Sequence, residues 1–65
     1  MKARYDASTD TLTILFRDAK VAESDEDKPG VVIDYDEEGN IVAIEVLDAS
    51  GQVEDPRSIT FSDDG

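Results

Sequence analysis

The chain has no cysteine, no histidine and no tryptophan, and only two prolines. Without cysteine it can form neither a disulfide nor a thiolate metal site. Without histidine it lacks the usual general base near neutral pH and the commonest metal ligand. Basic side chains are scarce too: six stand against seventeen acidic ones, for a formal net charge of −11. Such a surface repels nucleic-acid phosphate and anionic lipid, so neither nucleic acid nor a membrane is expected as a partner. No apolar run approaches the roughly 18 residues that a membrane span needs, and Met1-Lys2 leads into an alternating pattern instead of a signal-peptide core. The expected habitat is the cytoplasm. A chain of 65 residues makes one domain, whose single core seldom supplies more than about 3–5 kcal/mol unless something staples it. With disulfides and thiolate metals excluded, the remaining staple is association with another chain.

What is present is clearest from Gly30 to Leu47, GVVIDYDEEGNIVAIEVL, two apolar runs around Glu37-Glu38-Gly39-Asn40. From Asp34 the spacing nearly matches a calcium loop: Asp34, Asp36, Glu38, Gly39, Ile41 and Glu45 occupy its positions, with Glu38 the one departure. A calcium loop sits between two helices, however, and Val31-Val32-Ile33-Asp34-Tyr35 is β-branched and aromatic, which suits a pleated strand. A β-hairpin accounts for more. Pairing Asp36 with Ile41, Tyr35 with Val42, Ile33 with Ile44 and Val31 with Val46 makes one face wholly apolar. The same register sets Asp34 opposite Ala43 and Val32 opposite Glu45 on the other face. Gly39 provides the positive φ of a tight connection.

An opening hairpin precedes it. Ala3 to Asp6 and Thr11 to Arg17 alternate, with the turn formers Ala7-Ser8-Thr9-Asp10 between them. Pairing Tyr5 with Leu12 and Ala3 with Ile14 gathers Ala3, Tyr5, Leu12, Ile14 and Phe16 on one side. Lys2, Arg4 and Arg17, half of the basic residues, fall on the other. They read either as a cationic patch or, in preference, as cross-strand partners for the face that carries Asp34 and Glu45. Val21 to Glu26 suits a short acidic edge strand that discourages pairing by other chains. Asp25 to Gly30 is a loop ending in Pro-Gly turn chemistry. Asp48-Ala49-Ser50-Gly51 is a break with a helix-cap signature. The chain therefore divides into a β domain over 1–51 and a polar tail over 52–65, in which Ile59 and Phe61 suit a short extra strand before a frayed end.

The fold expected is mainly β: a single antiparallel meander of four to five strands, built from two hairpins, with one strongly apolar face. Domains need a second layer to bury such a face, and no amphipathic helix is available to supply it. The candidate interface is Tyr5, Leu12, Ile14, Phe16, Val31, Ile33, Tyr35, Val42, Ile44 and Val46. A second copy or a basic protein partner would cover it. The acidic surface reads first as adaptation to a salt-rich cytoplasm, because acid is spread over loops, faces and tail, and second as a means of steering a basic partner.

Several stretches resemble domain-of-unknown-function family 2283, a family of short prokaryotic proteins. They are Lys2-Ala3-Arg4-Tyr5-Asp6, Asp10-Thr11-Leu12-Thr13-Ile14, Pro29 to Asp36 and Gly39 to Ser50. Each is a strand-and-turn signature, and the family's usual aromatic in the second strand is Thr13 here. Some members are encoded beside small toxin-like proteins and have been suggested as antitoxins, so the resemblance implies a binding role and assigns no functional residue.

Three functions follow in order. A small protein-binding module, antitoxin-like in form, comes first, and a self-associating homodimer without ligand second. An enzyme comes last: the serines lie in turns or tail without histidine, there is no glycine-rich phosphate cradle, and Asp34 and Asp36 are expected on an open, solvated face. No cofactor is expected.

Overall fold

A computed structural model describes all of residues 1–65. Five strands form one antiparallel sheet: β1 (Lys2–Asp6), β2 (Thr11–Leu15), β3 (Glu23–Lys28), β4 (Val31–Tyr35) and β5 (Ile41–Val46). A four-residue helix, α1 (Ala49–Gln52), follows, and no strand lies beyond Val46. The spatial order is β1-β2-β5-β4-β3. This departs from a simple meander, because β2 lies against β5 and β3 is sent to the far edge. Composition explains the choice. Thr11–Leu15, Val31–Tyr35 and Ile41–Val46 carry apolar side chains on both faces and take the three inner places, whereas β3, ESDEDK, is exposed along its whole length.

Two registers run across the sheet. Ala3, Ile14, Ile44 and Ile33 form one apolar row ending at Asp25, and Tyr5, Leu12, Val46 and Val31 form the next, ending at Lys28. Within the two hairpins these are the pairs that alternation predicts, with one exception, at the turn end of the second. Tyr35 faces Ile41, not Val42, because the register shifts after Asp34 and leaves Val42 as an extra residue. Val42 uses the kink: its carbonyl accepts both the Phe16 and the Arg17 N–H, at 2.8 and 3.4 Å, which prolongs the pairing of β2 with β5.

Two turns require glycine. Gly30 and Gly39 both have φ of 83°, a conformation that costs an L residue about 1–2 kcal/mol. At Gly39 nothing lies within 4 Å of an added Cβ, whereas at Gly30 such a Cβ meets Gln52 Nε2 at 2.6 Å. That amide donates to the Leu47 carbonyl at 2.7 Å. Gly39→Ala should therefore cost only the backbone strain, and Gly30→Ala the strain plus the displaced Gln52 bond, about 0.5–1.5 kcal/mol more. Urea titrations of the two variants side by side check the order.

The β1–β2 turn and α1 are tied through one residue. Asp10, at φ 54°, accepts the Ala49 N–H on its carbonyl at 2.9 Å. Its carboxylate accepts the Tyr5 hydroxyl at 2.6 Å, the Ser50 N–H at 3.0 Å and the Ser50 hydroxyl at 2.7 Å. Asp48 stands at the head of α1 without a side-chain cap, so Asp10 satisfies the helix's first amides from far back in the sequence. The Tyr5 and Ser50 hydroxyls, in that order, hold the Asp10 carboxyl below the usual carboxylate range.

The sheet is thin. The molecule measures 32 × 32 × 19 Å, and only six of 65 residues are buried. Its radius of gyration of 12.3 Å exceeds the about 10.7 Å expected of a compact chain of this length. No helix is long and apolar enough to cross a membrane.

Candidate functional site

The apolar rows place the candidate interface on one side of the sheet. Alternation adds Phe16 after Ile14, Val42 before Ile44 and Tyr35 after Ile33. Within that set the structure separates two classes. Leu12 (5 % exposed) and Val42 (1 %) are already covered by the chain itself. Tyr5, Ile14, Val31, Ile33, Tyr35, Ile44 and Val46 are half-buried, and Phe16 is 42 % exposed.

For Leu12 the tail makes the difference. Beyond α1 the chain returns over the β1–β2 half of this face, where Pro56 is buried. There Pro56, Arg57 and Ile59 line a cleft with Ala3, Tyr5 and Leu12. The Arg57 guanidinium sits 4.9 Å from the centre of the Tyr5 ring, a cation–π contact. Ile59 also borders an apolar cleft with Met1, Ala3, Ile14 and Phe16. Nothing in the sequence pattern marks this contact: Pro56 and Ile59 are isolated apolar residues in a polar segment.

The opposite face carries the polar side chains, and two expectations for it need correction. Asp34, expected in solvent, is 7 % exposed and accepts the Ser24 hydroxyl from the neighbouring strand. β3 and β5 flank it, and the register sets it one step diagonally from Glu45. The second correction concerns the basic residues. Arg4 lies in the row Arg4–Thr13–Glu45, two strand spacings or about 9.6 Å from the glutamate. The ion pair that forms is instead Arg17 with Asp36, at 3.3 Å, at the end of the sheet.

Glu45 partners Asp34. Its carboxyl is held above the usual range, first because protonated Glu45 donates to Asp34, then by partial burial and by the Asp34 charge. A carboxyl whose folded value is raised contributes its stability below the ordinary glutamate titration and loses it as pH rises through the folded value. Glu45→Gln keeps the donor without the charge. It should be more stable than the parent at pH 7 and indistinguishable from it near pH 4, in urea melts at both.

Asp36 has a different task from the one a calcium loop would give it. With strands on both sides, its Oδ1 accepts the Glu38 and Asn40 N–H groups, each at 2.9 Å, and its carboxyl is held low by the Asn40 amide above all. Beside it, Glu23, Asp25 and Glu37 surround Tyr35 in a shallow acidic depression.

No match appears among curated proteins or solved structures. A family model described as "Protein of unknown function (DUF2283)" matches residues 2–50. The matched span covers the whole sheet and the Asp10 cluster, in which Tyr5, Asp10 and Ser50 from three separate stretches meet. The chain belongs to the DUF2283 family.

Proposed function

We propose that this chain is a non-catalytic protein-binding module that presents its apolar sheet face to another protein chain. The observation that carries the reading is surface area. The chain exposes 4938 Å², against about 4,100 Å² for a compact monomer of this mass. The surplus, roughly 850 Å², is close to the ~800 Å² that each partner contributes to an interface of standard size. Part belongs to the extended tail; the rest reflects a sheet with nothing stacked on most of its apolar side.

Two features support the absence of catalysis. Asp34 is buried against Ser24 and Glu45, and Asp36 accepts the turn amides of Glu38 and Asn40 on Oδ1. Capture of a small basic, toxin-like protein is the finer form of the reading. Its support is the family resemblance together with the −11 charge, which would speed encounter with a basic chain.

Ile33→Glu, and the milder Phe16→Ser as a check on folding, should abolish stoichiometric association at native salt and leave the far-ultraviolet circular dichroism unchanged. If both variants associate as the parent does, the face is not the docking surface. The same holds if the parent associates with nothing, itself included.

A further inference from the structure

Taking the apolar face as a docking surface, we infer that its occupant is a second copy of this chain, stacked face to face about a two-fold axis parallel to β5. Three features of the face are self-complementary in that arrangement and in no other simple stacking.

The first is relief. The tail raises the β1–β2 half, with Pro56 wedged in and Ile59 (52 % exposed) standing outward beside it. The β4–β3 half, with Val31 and Ile33, has no such cover. A two-fold axis along the middle strand exchanges left and right, so each copy's ridge drops onto the other's bare half. An axis across the strands would set ridge on ridge and trough on trough.

The second is register. In the row Ala3–Ile14–Ile44–Ile33–Asp25 the central member is Ile44. Rotation about an axis through it sets Ile44 on Ile44 of the second copy, Ile14 on its Ile33, and Ala3 beside its Asp25. An isologous contact requires this reciprocity. Sheets stacked in this way interdigitate at about 10 Å.

The third is charge. On the docking face the β3 side presents Glu23 and Asp25, which pair with Tyr35 and Ile33. The β1 side presents Ala3 and Tyr5, with Arg57 of the tail above the Tyr5 ring, while Lys2 and Arg4 belong to the other face. The proposed axis sets each acidic edge over a half of the face that carries no carboxylate, twice. The crossed axis sets the acidic edges over each other, a repulsion that two chains of net charge −11 can least accommodate.

Because the chain has no cysteine, an introduced one is unique. Ala3→Cys and Asp25→Cys preparations, mixed in equal amounts in molar salt and treated with a short bis-maleimide, should give mainly the mixed 3–25 product. Sedimentation should show a dimer, and Ile59→Ser should weaken it about tenfold or more, as loss of a buried apolar anchor does, while the monomer's melting temperature falls little, since Ile59 is 52 % exposed there. Products joined 3–3 and 25–25 would overturn the axis. A monomer at all salt concentrations, with Ile33→Glu still abolishing binding to a different protein, overturns the second copy and leaves the docking face standing. A monomer for which Ile33→Glu changes nothing overturns both.

Discussion

Leu12→Ala is expected to leave the chain largely unfolded in dilute buffer at 25 °C. Leu12 is one of four apolar side chains in the buried core, with Val42, Ala43 and Ala49, and it is the largest of them. It lies centrally in the row Tyr5–Leu12–Val46–Val31 and shares the tail cleft with Pro56 and Ile59. Truncating a buried leucine costs about 2–5 kcal/mol, while a single core in a domain of this length supplies about 3–5 kcal/mol in all. The substitution thus removes most or all of the margin. It should also free the tail, since the cleft that seats Pro56 loses its floor. Phe61→Ala, at a residue 75 % exposed, sets the comparison and should shift the urea midpoint of the monomer hardly at all. If Leu12→Ala melts cooperatively within a few degrees of the parent, the core is not where the accessible areas place it.

Much of this could be read from the residues. Both hairpins followed from period-2 alternation, and register followed with them as far as Asp34, because slipping either pairing by one residue would turn the isoleucines to water; the shift that sets Tyr35 against Ile41 did not. Gly30 and Gly39 marked their turns for the reason glycine marks any positive φ. The acid content of Val21 to Glu26 pointed to an edge strand, and an edge is where β3 lies, although it begins at Glu23 and continues to Lys28 through residues whose Pro-Gly ending suggested a loop from Asp25. Three things escaped. The place of β3 beyond β4 did, because strand order depends on which apolar flanks pack best, and local periodicity is silent on that. The burial of Asp34 did as well: alternation puts it on the polar face, but its cover comes from the two strands beside it and from the Ser24 hydroxyl. Asp10 looked like one turn former among four. Its links to Tyr5 and Ser50 form only when residues forty positions apart meet at one end of the sheet.

Transfer from molar salt to about 10 mM salt is expected to lower the melting temperature steeply, and lowering the pH is expected to restore part of the loss before reversing. At about 0.01 M the Debye length is roughly 30 Å, and at 1 M roughly 3 Å. The molecule's longest extents are 32 Å, so in dilute buffer every carboxylate feels nearly every other, and in molar salt only its neighbours. With −11 net charges and a single ion pair, Arg17 with Asp36, within 4 Å, little of that repulsion is cancelled locally. Salt screens it without touching any hydrogen bond. Acid acts twice, with opposite signs. As pH falls from 7, Glu45, raised above its ordinary value by Asp34, takes up its proton early, and stability rises. Asp6, Asp10 and Asp36 are held low by the hydroxyls and amides they accept. A group lowered in this way contributes its stability above the ordinary aspartate value of about 3.9 and loses it as pH falls through the folded value. The melting temperature in low salt should therefore peak on the acid side of neutrality and drop below about pH 4, where the unfolded chain takes up the proton that the folded Asp10 carboxylate, tying α1 to the first turn, still resists. In Asp10→Asn the acid-side drop should shrink, because the amide oxygen still accepts from Ser50 and has no proton to gain. A melting temperature indifferent to salt would show instead that the carboxylates are too far apart, or too well hydrated, to oppose folding.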